Sequence, residues 1–442
     1  MQSLRNVVVL IALLFIPLLA NAATYYVDAN ASNDRGDGSA ERPKKRIGSG
    51  LSLLSRKGGD VLVIAPGTYA DKHDAIKGVP SGRPGAYNVI KAATDGTVVI
   101  QAPLLLPQAD HYVTLEGLKW DYPDAKGIIG RYVKILRCAF SGGGPTGNTS
   151  SLVVGTNDAT PGAQYILIED SWVYGPGGRY KLLVYNSDSV ILRRVVVRHD
   201  GGWTYDHNNP QGGITSYNSS NVRLQDVMVV DSQTGLEGFE SNIYFVGNES
   251  SKTPVKNVRL QGAIVIGGPG NGIAFDDWKP YENALVEDVV VWGTAAGGFA
   301  ANGSGHHVIV NRALIKSSGT AFADWSGKGD IQVKNALAYQ NKKVLSSVTA
   351  SNVTTLNSTN GLKYLPRVDK GPQIVKRIGV SGTLFGEPGF EDVTNEKLWP
   401  WPNEERIKAD FAQVQPRGFA ASNKSLTRYV WEQLGNAAPS EF

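Results

Sequence analysis

Cysteine is almost absent from this sequence, since Cys138 is the only one in 442 residues. A single thiol excludes a disulfide within the chain. We therefore expect the fold to be stabilised by packed apolar strands, with Cys138 as an inert thiol in the core.

Long apolar runs are also scarce, because no segment after the N-terminus approaches 18 continuous apolar residues. This pattern excludes a membrane span in the rest of the chain. Arg5, an apolar run over residues 7–19 and the small residues Ala20 and Ala22 are typical of a secretory signal peptide. We expect residues 1–22 to be cleaved and the soluble remainder to be secreted or periplasmic in a bacterium.

A strong charge of either sign is lacking as well. The formal net charge is +4, and it becomes +3 without residues 1–22, whose one charged side chain is Arg5. Nothing in this balance requires nucleic acid as a partner, and a mild positive charge suits an acidic polymer. A monomer without stable membrane insertion is expected.

What the sequence does contain is a repeat. Short alternating pairs of the Val-x-Leu type begin at residues 113, 133, 166, 190, 222, 258, 284, 308 and 331. A period in the low twenties with insertions of about ten residues is typical of a solenoid whose insertions leave as loops. Three short strands in each unit leave no room for a helix, so we predict an all-β coil with parallel sheets.

The start of the mature chain resembles a known family. YYVDAN at residues 25–30, GDG at 36–38 and GGDVLVIAPGTY at 58–69 look like the first coil and N-terminal cap of the secreted pectate-lyase-like proteins. The resemblance implies a single-stranded right-handed parallel β-helix. A predicted helix at residues 47–56 would cover the open first rung.

We expect the β-helix to occupy residues 23–341 and a wrapping tail to occupy residues 342–442. In this tail, one helix is predicted to start at Pro402 or Asn403, and a second at residues 425–434. The tryptophans of the tail are expected to pack against the coil they cover; they are Trp399, Trp401 and Trp431.

Insertions at residues 142–164, 199–211 and 233–256 leave nearby rungs and are predicted to wall a groove for an extended polymer. The second insertion is the richest in reactive groups. His199 and His207 suit proton transfer near neutral pH, Tyr205 is a candidate base or acid, and Trp203 offers a stacking face. Lys181 and Arg198 are the nearest cations in sequence. A loop held by its own hydrogen bonds is the alternative.

Carboxylates form a second candidate site. Glu237 and Glu240 lie in the third insertion, and Asp276 and Asp277 follow a short strand one coil later. Asp276 and Asp277 should align across neighbouring rungs with Ser216-Tyr217, Asn302 and Asp324-Trp325. Such a ladder is predicted to hold Ca²⁺ or to supply the acid and base of a hydrolase, with Tyr217, Asn242 and Trp325 contacting substrate. Solvated turn carboxylates are the alternative.

The resemblance implies an enzyme acting on polysaccharide, first of all a lyase that cleaves a uronate-containing polymer by β-elimination. Proton abstraction beside a carboxylate builds negative charge, which a cationic side chain or Ca²⁺ must neutralise. A glycoside hydrolase, a uronate epimerase and a non-catalytic carbohydrate-binding β-helix remain open. No motif of one lyase subfamily is present in the sequence.

Overall fold

The computed structural model describes residues 22–124, 126–156, 162–204, 211–233, 241–247, 255–277, 281–317, 319–356 and 399–435. Strands dominate these residues. The first twelve are β1 Thr24–Val27, β2 Val61–Ile64, β3 Gly67–Tyr69, β4 Ile76–Lys77, β5 Asn88–Ala92, β6 Val98–Ile100, β7 Leu104–Leu106, β8 His111–Glu116, β9 Leu118–Asp121, β10 Lys126–Ile128, β11 Arg131–Leu136 and β12 Ala139–Ser141. The middle of the chain contains β13 Ser150–Gly155, β14 Gln164–Glu169, β15 Trp172–Tyr174, β16 Tyr180–Tyr185, β17 Asp188–Arg193, β18 Val196–Val197, β19 Gly212–Tyr217, β20 Ser220–Gln225, β21 Met228–Val230, β22 Ser241–Gly247 and β23 Val255–Lys256.

The remaining strands are β24 Arg259–Gln261, β25 Ile264–Ile266, β26 Asn271–Asp277, β27 Tyr281–Glu282, β28 Ala284–Thr294, β29 Phe299–Asn302, β30 Ser304–Ser317, β31 Thr320–Asp324, β32 Lys328–Tyr339, β33 Lys343–Ser346 and β34 Thr349–Leu356. Three helices complete the described chain: α1 Ile47–Leu51, α2 Glu404–Val414 and α3 Leu426–Gln433. Short 3-10 turns lie at Lys72–Asp74 and Gly418–Ala421.

The strands wind into a parallel coil. One strand per turn contributes to a sheet of eleven strands, ordered β4-β7-β10-β13-β16-β19-β22-β26-β29-β31-β33. The rest of each turn joins a second, larger network, so that β17 pairs with β14 and β20, and β18 pairs with β15 and β21. Every pairing between named strands is parallel, which confirms the predicted all-β parallel β-helix. The right hand of the coil stays a prediction.

The predicted repeat marks lie in one register. Leu115 pairs with Ile135, Ile135 with Ile168, and the same column continues to Val333. These side chains point into the coil, where they are fully buried in one continuous apolar core. The sequence period follows from this stacking, because each inward residue must meet the same position of the next turn. Cys138 lies in this core, and burial raises the pKa of its thiol to about 12.

Two boundaries differ from the predictions. Strands β33 and β34 continue the parallel pairing to Leu356, beyond the expected end of the coil at residue 341. Helix α1 covers only five residues of the predicted segment 47–56. Its Ile47 and Leu51 are buried in the coil's core, while its role as a cap stays a prediction.

The C-terminal tail packs on the outside of the coil. Helix α2 follows Asn403 and helix α3 follows Ser425, whose side chain accepts a hydrogen bond from the Arg428 N–H; both starts are as predicted. The three tail tryptophans are buried in a separate apolar cluster against outward-facing residues of the larger network. Asp410 of α2 reaches the coil, with its carboxylate 2.6 Å from Lys119 Nζ and 2.8 Å from Trp172 Nε1. Among the described residues, no helix has the length and apolar character of a membrane span.

Candidate functional site

His199, the first predicted base, is completely buried. Its Nε2 lies 2.9 Å from the Gly178 carbonyl, and its Nδ1 accepts a hydrogen bond from the Gly201 N–H at 3.1 Å. Burial lowers the pKa of His199 to about 3, so the imidazole is neutral at neutral pH. Because both ring nitrogens are engaged and no edge reaches solvent, this placement does not support proton transfer to a substrate.

Arg198 and Lys181, the predicted cations, are also buried. Arg198 Nε lies 2.9 Å from Asp200 Oδ1, and Arg417 of the tail lies 2.8 Å from the same oxygen. Lys181 Nζ donates to the Gly175 carbonyl at 2.8 Å, and burial lowers the pKa of Lys181 to about 7. Arg198 thus joins the coil to the tail and Lys181 is bound within the coil, so neither faces a groove and a catalytic role for them is not supported.

Two predicted substrate contacts are buried as well. Trp203 is 1% exposed and donates its Nε1–H to the Gly147 carbonyl at 2.8 Å, which leaves no open ring face for a sugar. Asn242 is 4% exposed and donates to the Asn271 carbonyl. Tyr205, His207, Glu237, Glu240 and the side chain of Asp277 lie outside the described residues, so their predicted roles stay predictions.

Asp276 is the predicted residue that does lie in a pocket. Its strand β26 pairs with β22 and β29, which places Asp276 beside Val246 and Asn302 on the outer face of the eleven-stranded sheet. Tyr244 donates its hydroxyl to Asp276 Oδ2 at 2.7 Å, and Asn302 Nδ2 donates to Oδ1 at 3.1 Å. Burial raises the pKa of Tyr244 well above its usual range, so this phenol remains a proton donor to the carboxylate.

The pocket around this carboxylate has a volume of about 230 Å³. Ala274 and Ala300 lie on its floor, where small side chains leave room for a ligand, and Trp325 lies at its edge with 55% of its surface exposed. We call this cavity the Asp276 pocket. A recessed carboxylate beside an open aromatic ring is a common arrangement for binding a sugar ring.

Further residues extend the Asp276 pocket along the same face. Tyr217 pairs with Val246 in the row that contains Asp276, as predicted, and Tyr185 precedes it with ring centroids 5.1 Å apart. Trp325 lies one rung after Asn302, five rungs along the coil from Tyr185, which is about 24 Å at ~4.8 Å per rung. The row is therefore long enough for several units of a polymer.

The charge of the Asp276 pocket limits its chemistry. Asp276 is the only charged side chain among the described residues that line it. The described residues also contain no group of three His, Cys, Asp or Glu side chains placed to bind a metal. Three of the four predicted Ca²⁺ ligands, Glu237, Glu240 and the side chain of Asp277, lie outside the described residues, so the Ca²⁺ site stays a prediction.

Comparison with known proteins adds three similar solved structures. The catalytic unit of an α-1,3-glucanase from Streptomyces thermodiastaticus is 11% identical, with a TM-score of 0.46, over 77% of this chain and 69% of that one. A mannuronan C-5 epimerase A-module from Azotobacter vinelandii is 10% identical, with a TM-score of 0.46, over 68% and 92%. A rhamnogalacturonan lyase is 13% identical, with a TM-score of 0.46, over 75% and 88%.

These similar structures are parallel β-helix carbohydrate-active proteins, as the opening motifs predicted. No protein-family model and no curated protein matches the sequence. The roles of individual residues therefore rest on the geometry of this chain alone.

Tyr244, which donates to Asp276, was not predicted from the sequence. The strand register could have identified it. Ile243 pairs with Ile214 in the inward column, so the next residue, Tyr244, must point outward on the same face as Asp276.

The buried state of His199 predicts a specific dependence on pH. The folded pKa is about 3 and the ordinary value is 6.5, so between these values the unfolded chain binds a proton that the folded chain does not. The contribution of His199 to stability is therefore complete above pH 6.5 and falls by about 1.4 kcal/mol per pH unit below it. In His199→Gln this titration is absent. Urea unfolding at pH 7, 6 and 5 should show the stability difference between wild type and variant shrinking as the pH falls.

The same variant tests the predicted catalytic role. We expect activity per folded molecule to be retained in His199→Gln at neutral pH. A hundredfold loss of activity in a fully folded variant would instead favour proton transfer by His199.

Proposed function

We propose that this protein is an exported enzyme that acts on an extended polysaccharide bound along the outer face of the eleven-stranded sheet. The observation that carries the proposal is the Asp276 pocket, in which a carboxylate held by Tyr244 and Asn302 lies beside the exposed ring of Trp325. Tyr185 and Tyr217 continue this surface on neighbouring rungs.

Among the predicted reactions, we favour hydrolysis of a glycosidic bond. A glycosidase uses two carboxylates beside the bond, and Asp276 is suited to be one of them. The second carboxylate of the proposed glycosidase site is predicted to be Glu237, Glu240 or Asp277. The hydrogen bonds from Tyr244 and Asn302 hold the Asp276 carboxylate in one position beside the pocket, where it could act as a nucleophile or base.

The leading prediction from the sequence, β-elimination of a uronate polymer, is the second candidate. It requires a cation beside the uronate carboxylate, and no cationic side chain occurs among the described residues that line the Asp276 pocket. An anionic Asp276 would repel a uronate placed there. A lyase with this pocket would therefore need a cationic partner from elsewhere.

Product analysis separates these reactions. The full chain is incubated with a panel of neutral and acidic polysaccharides, with and without a chelator. Hydrolysis predicts new reducing ends without ultraviolet absorbance, and loss of activity with the chelator would support the predicted Ca²⁺ site. Absorbance from an unsaturated sugar end would overturn hydrolysis in favour of elimination, unchanged chain length with altered uronates would indicate an epimerase, and no product from any polymer would indicate a binding protein.

Trp325 should contribute to glycan affinity more than an ordinary exposed apolar residue. In Trp325→Ala the stacking face is lost, and we expect binding of the responsive polysaccharide to weaken roughly tenfold. Isothermal titration against wild type measures the effect. Ile309→Ala is the matched control, because Ile309 is 38% exposed on β30 in the other network. Equal affinities in the two variants would remove Trp325 from the binding surface.

A further inference from the structure

A second pocket lies at the N-terminal end of the same sheet. It is formed between helix α1, the 3-10 turn Lys72–Asp74 and strand β4, and its volume is about 540 Å³. Three basic side chains line it, Lys72, His73 and Lys77, together with Ser49 and Ser52 of the helix region. We call this cavity the N-terminal pocket.

The basic groups of this pocket are not neutralised by nearby acids. Within the described residues, the ammonium groups of Lys72 and Lys77 have no hydrogen-bond or ion-pair partner. Asp71 forms an ion pair with Arg46 at 2.7 Å. Asp74 is buried and accepts hydrogen bonds from backbone N–H groups, including that of Ile47 at 3.1 Å. The N-terminal pocket therefore presents net positive charge to solvent.

Strand register connects the two pockets. Lys77 pairs with Leu105, and this outward row continues rung by rung to Thr215 and Tyr244, the residue that donates to Asp276. Six steps separate Lys77 from Tyr244, or about 29 Å at ~4.8 Å per rung. Leu105, next to Lys77 in this row, is 43% exposed, whereas Leu183, Thr215 and Tyr244 farther along are buried. The two pockets therefore lie on one face of the coil, and a polymer that reaches both would pass over these buried residues.

We propose that the N-terminal pocket is a distal subsite that binds an acidic group, a carboxylate or a sulfate, of the polysaccharide processed at the Asp276 pocket. This inference rests on the proposed function for the location of the reaction. The two pockets differ in charge, with an anionic carboxylate at one and unpaired cations at the other. The substrate class that satisfies both is an acidic polysaccharide with a neutral sugar at the Asp276 pocket and an anionic group several units away.

The test uses the full chain and two polymers with one backbone: a partly methyl-esterified polygalacturonate, which offers neutral sugars to the Asp276 pocket and free carboxylates to the N-terminal pocket, and the fully esterified polymer, its methyl ester. The variant Lys72→Gln/Lys77→Gln should bind polygalacturonate roughly three- to tenfold more weakly than wild type, with unchanged binding of the methyl ester. Lys91→Gln/Lys334→Gln is the matched control, since it removes the same charge from strands β5 and β32 of the other network. The control should bind both polymers as wild type does.

Inorganic sulfate tests whether a free anion occupies the N-terminal pocket. Sulfate should compete with polygalacturonate for wild type and should not compete for the Lys72→Gln/Lys77→Gln variant. Equal competition in both proteins would overturn the proposal. Equal weakening in the variant and the control, or equal weakening for the methyl ester, would also overturn it.

The outcome is separable from that of the proposed function. Asp276→Asn should retain polygalacturonate binding while losing product formation on the responsive polymer. If binding depends on Lys72 and Lys77 but Asp276→Asn is still active, the proposed function is wrong and the distal subsite is supported. If Asp276→Asn is inactive but binding does not depend on Lys72 and Lys77, the distal subsite alone is wrong.

Discussion

Asp276→Asn should lower the rate of product formation by about 10²- to 10⁴-fold with little effect on folding. Asparagine has nearly the same shape as aspartate and can still accept the Tyr244 hydroxyl, so the pocket should keep its geometry. It cannot act as nucleophile or base. Initial rates on the responsive polysaccharide, with the thermal midpoint as a check on folding, measure the effect.

A matched control for this substitution is Asp330→Asn. Asp330 is a half-exposed carboxylate on β32 that lies 3.4 Å from His307 Nδ1 and from Gln332 Nε2. Its replacement should leave the rate unchanged. A rate for Asp276→Asn within a fewfold of wild type would exclude Asp276 from the reaction.

Asp200→Ala should lower the free energy of unfolding by about 3–5 kcal/mol. The Asp200 side chain is 1% exposed and lies between the guanidinium groups of Arg198 and Arg417, and it also accepts the Gly175 N–H at 2.9 Å. Alanine leaves two cations without their shared anion, and one of them, Arg198, is fully buried. Urea unfolding at neutral pH measures the loss.

Asp37→Ala provides the comparison, because Asp37 forms an ion pair with Arg42 in which both side chains are more than half exposed. Because water screens a surface pair of this kind, Asp37→Ala should change stability far less than Asp200→Ala. If the two variants lost equal stability, the buried charges between coil and tail would not hold them together.

Much of the fold was predictable because the repeat leaves a periodic signal. The inward column from Leu115 to Val333 could be followed through the sequence, and the alignment of Asp276 with Tyr217 and Asn302 followed from it. The starts of α2 and α3 were also predictable, since a start signal such as Ser425 acts on its own next turn. These features depend on neighbours a few residues away or one coil away.

The cluster at residues 198–203 was harder to interpret. Reactive residue types in an insertion favoured a groove, but the structure buries His199, Arg198 and Trp203. Arg198 Nη2 donates to the carbonyl of Phe411, more than two hundred residues later in the chain. No pattern within the insertion indicates a partner that distant.

The sequence by itself determined the parallel coil, its register and the outward row that contains Asp276, because stacking turns impose one spacing on the whole chain. Tertiary structure alone decided which polar residues remain accessible. That outcome depends on where the tail packs: Arg417 and Phe411 cover the side chains of one face, while Trp325 and the Asp276 pocket remain open on another.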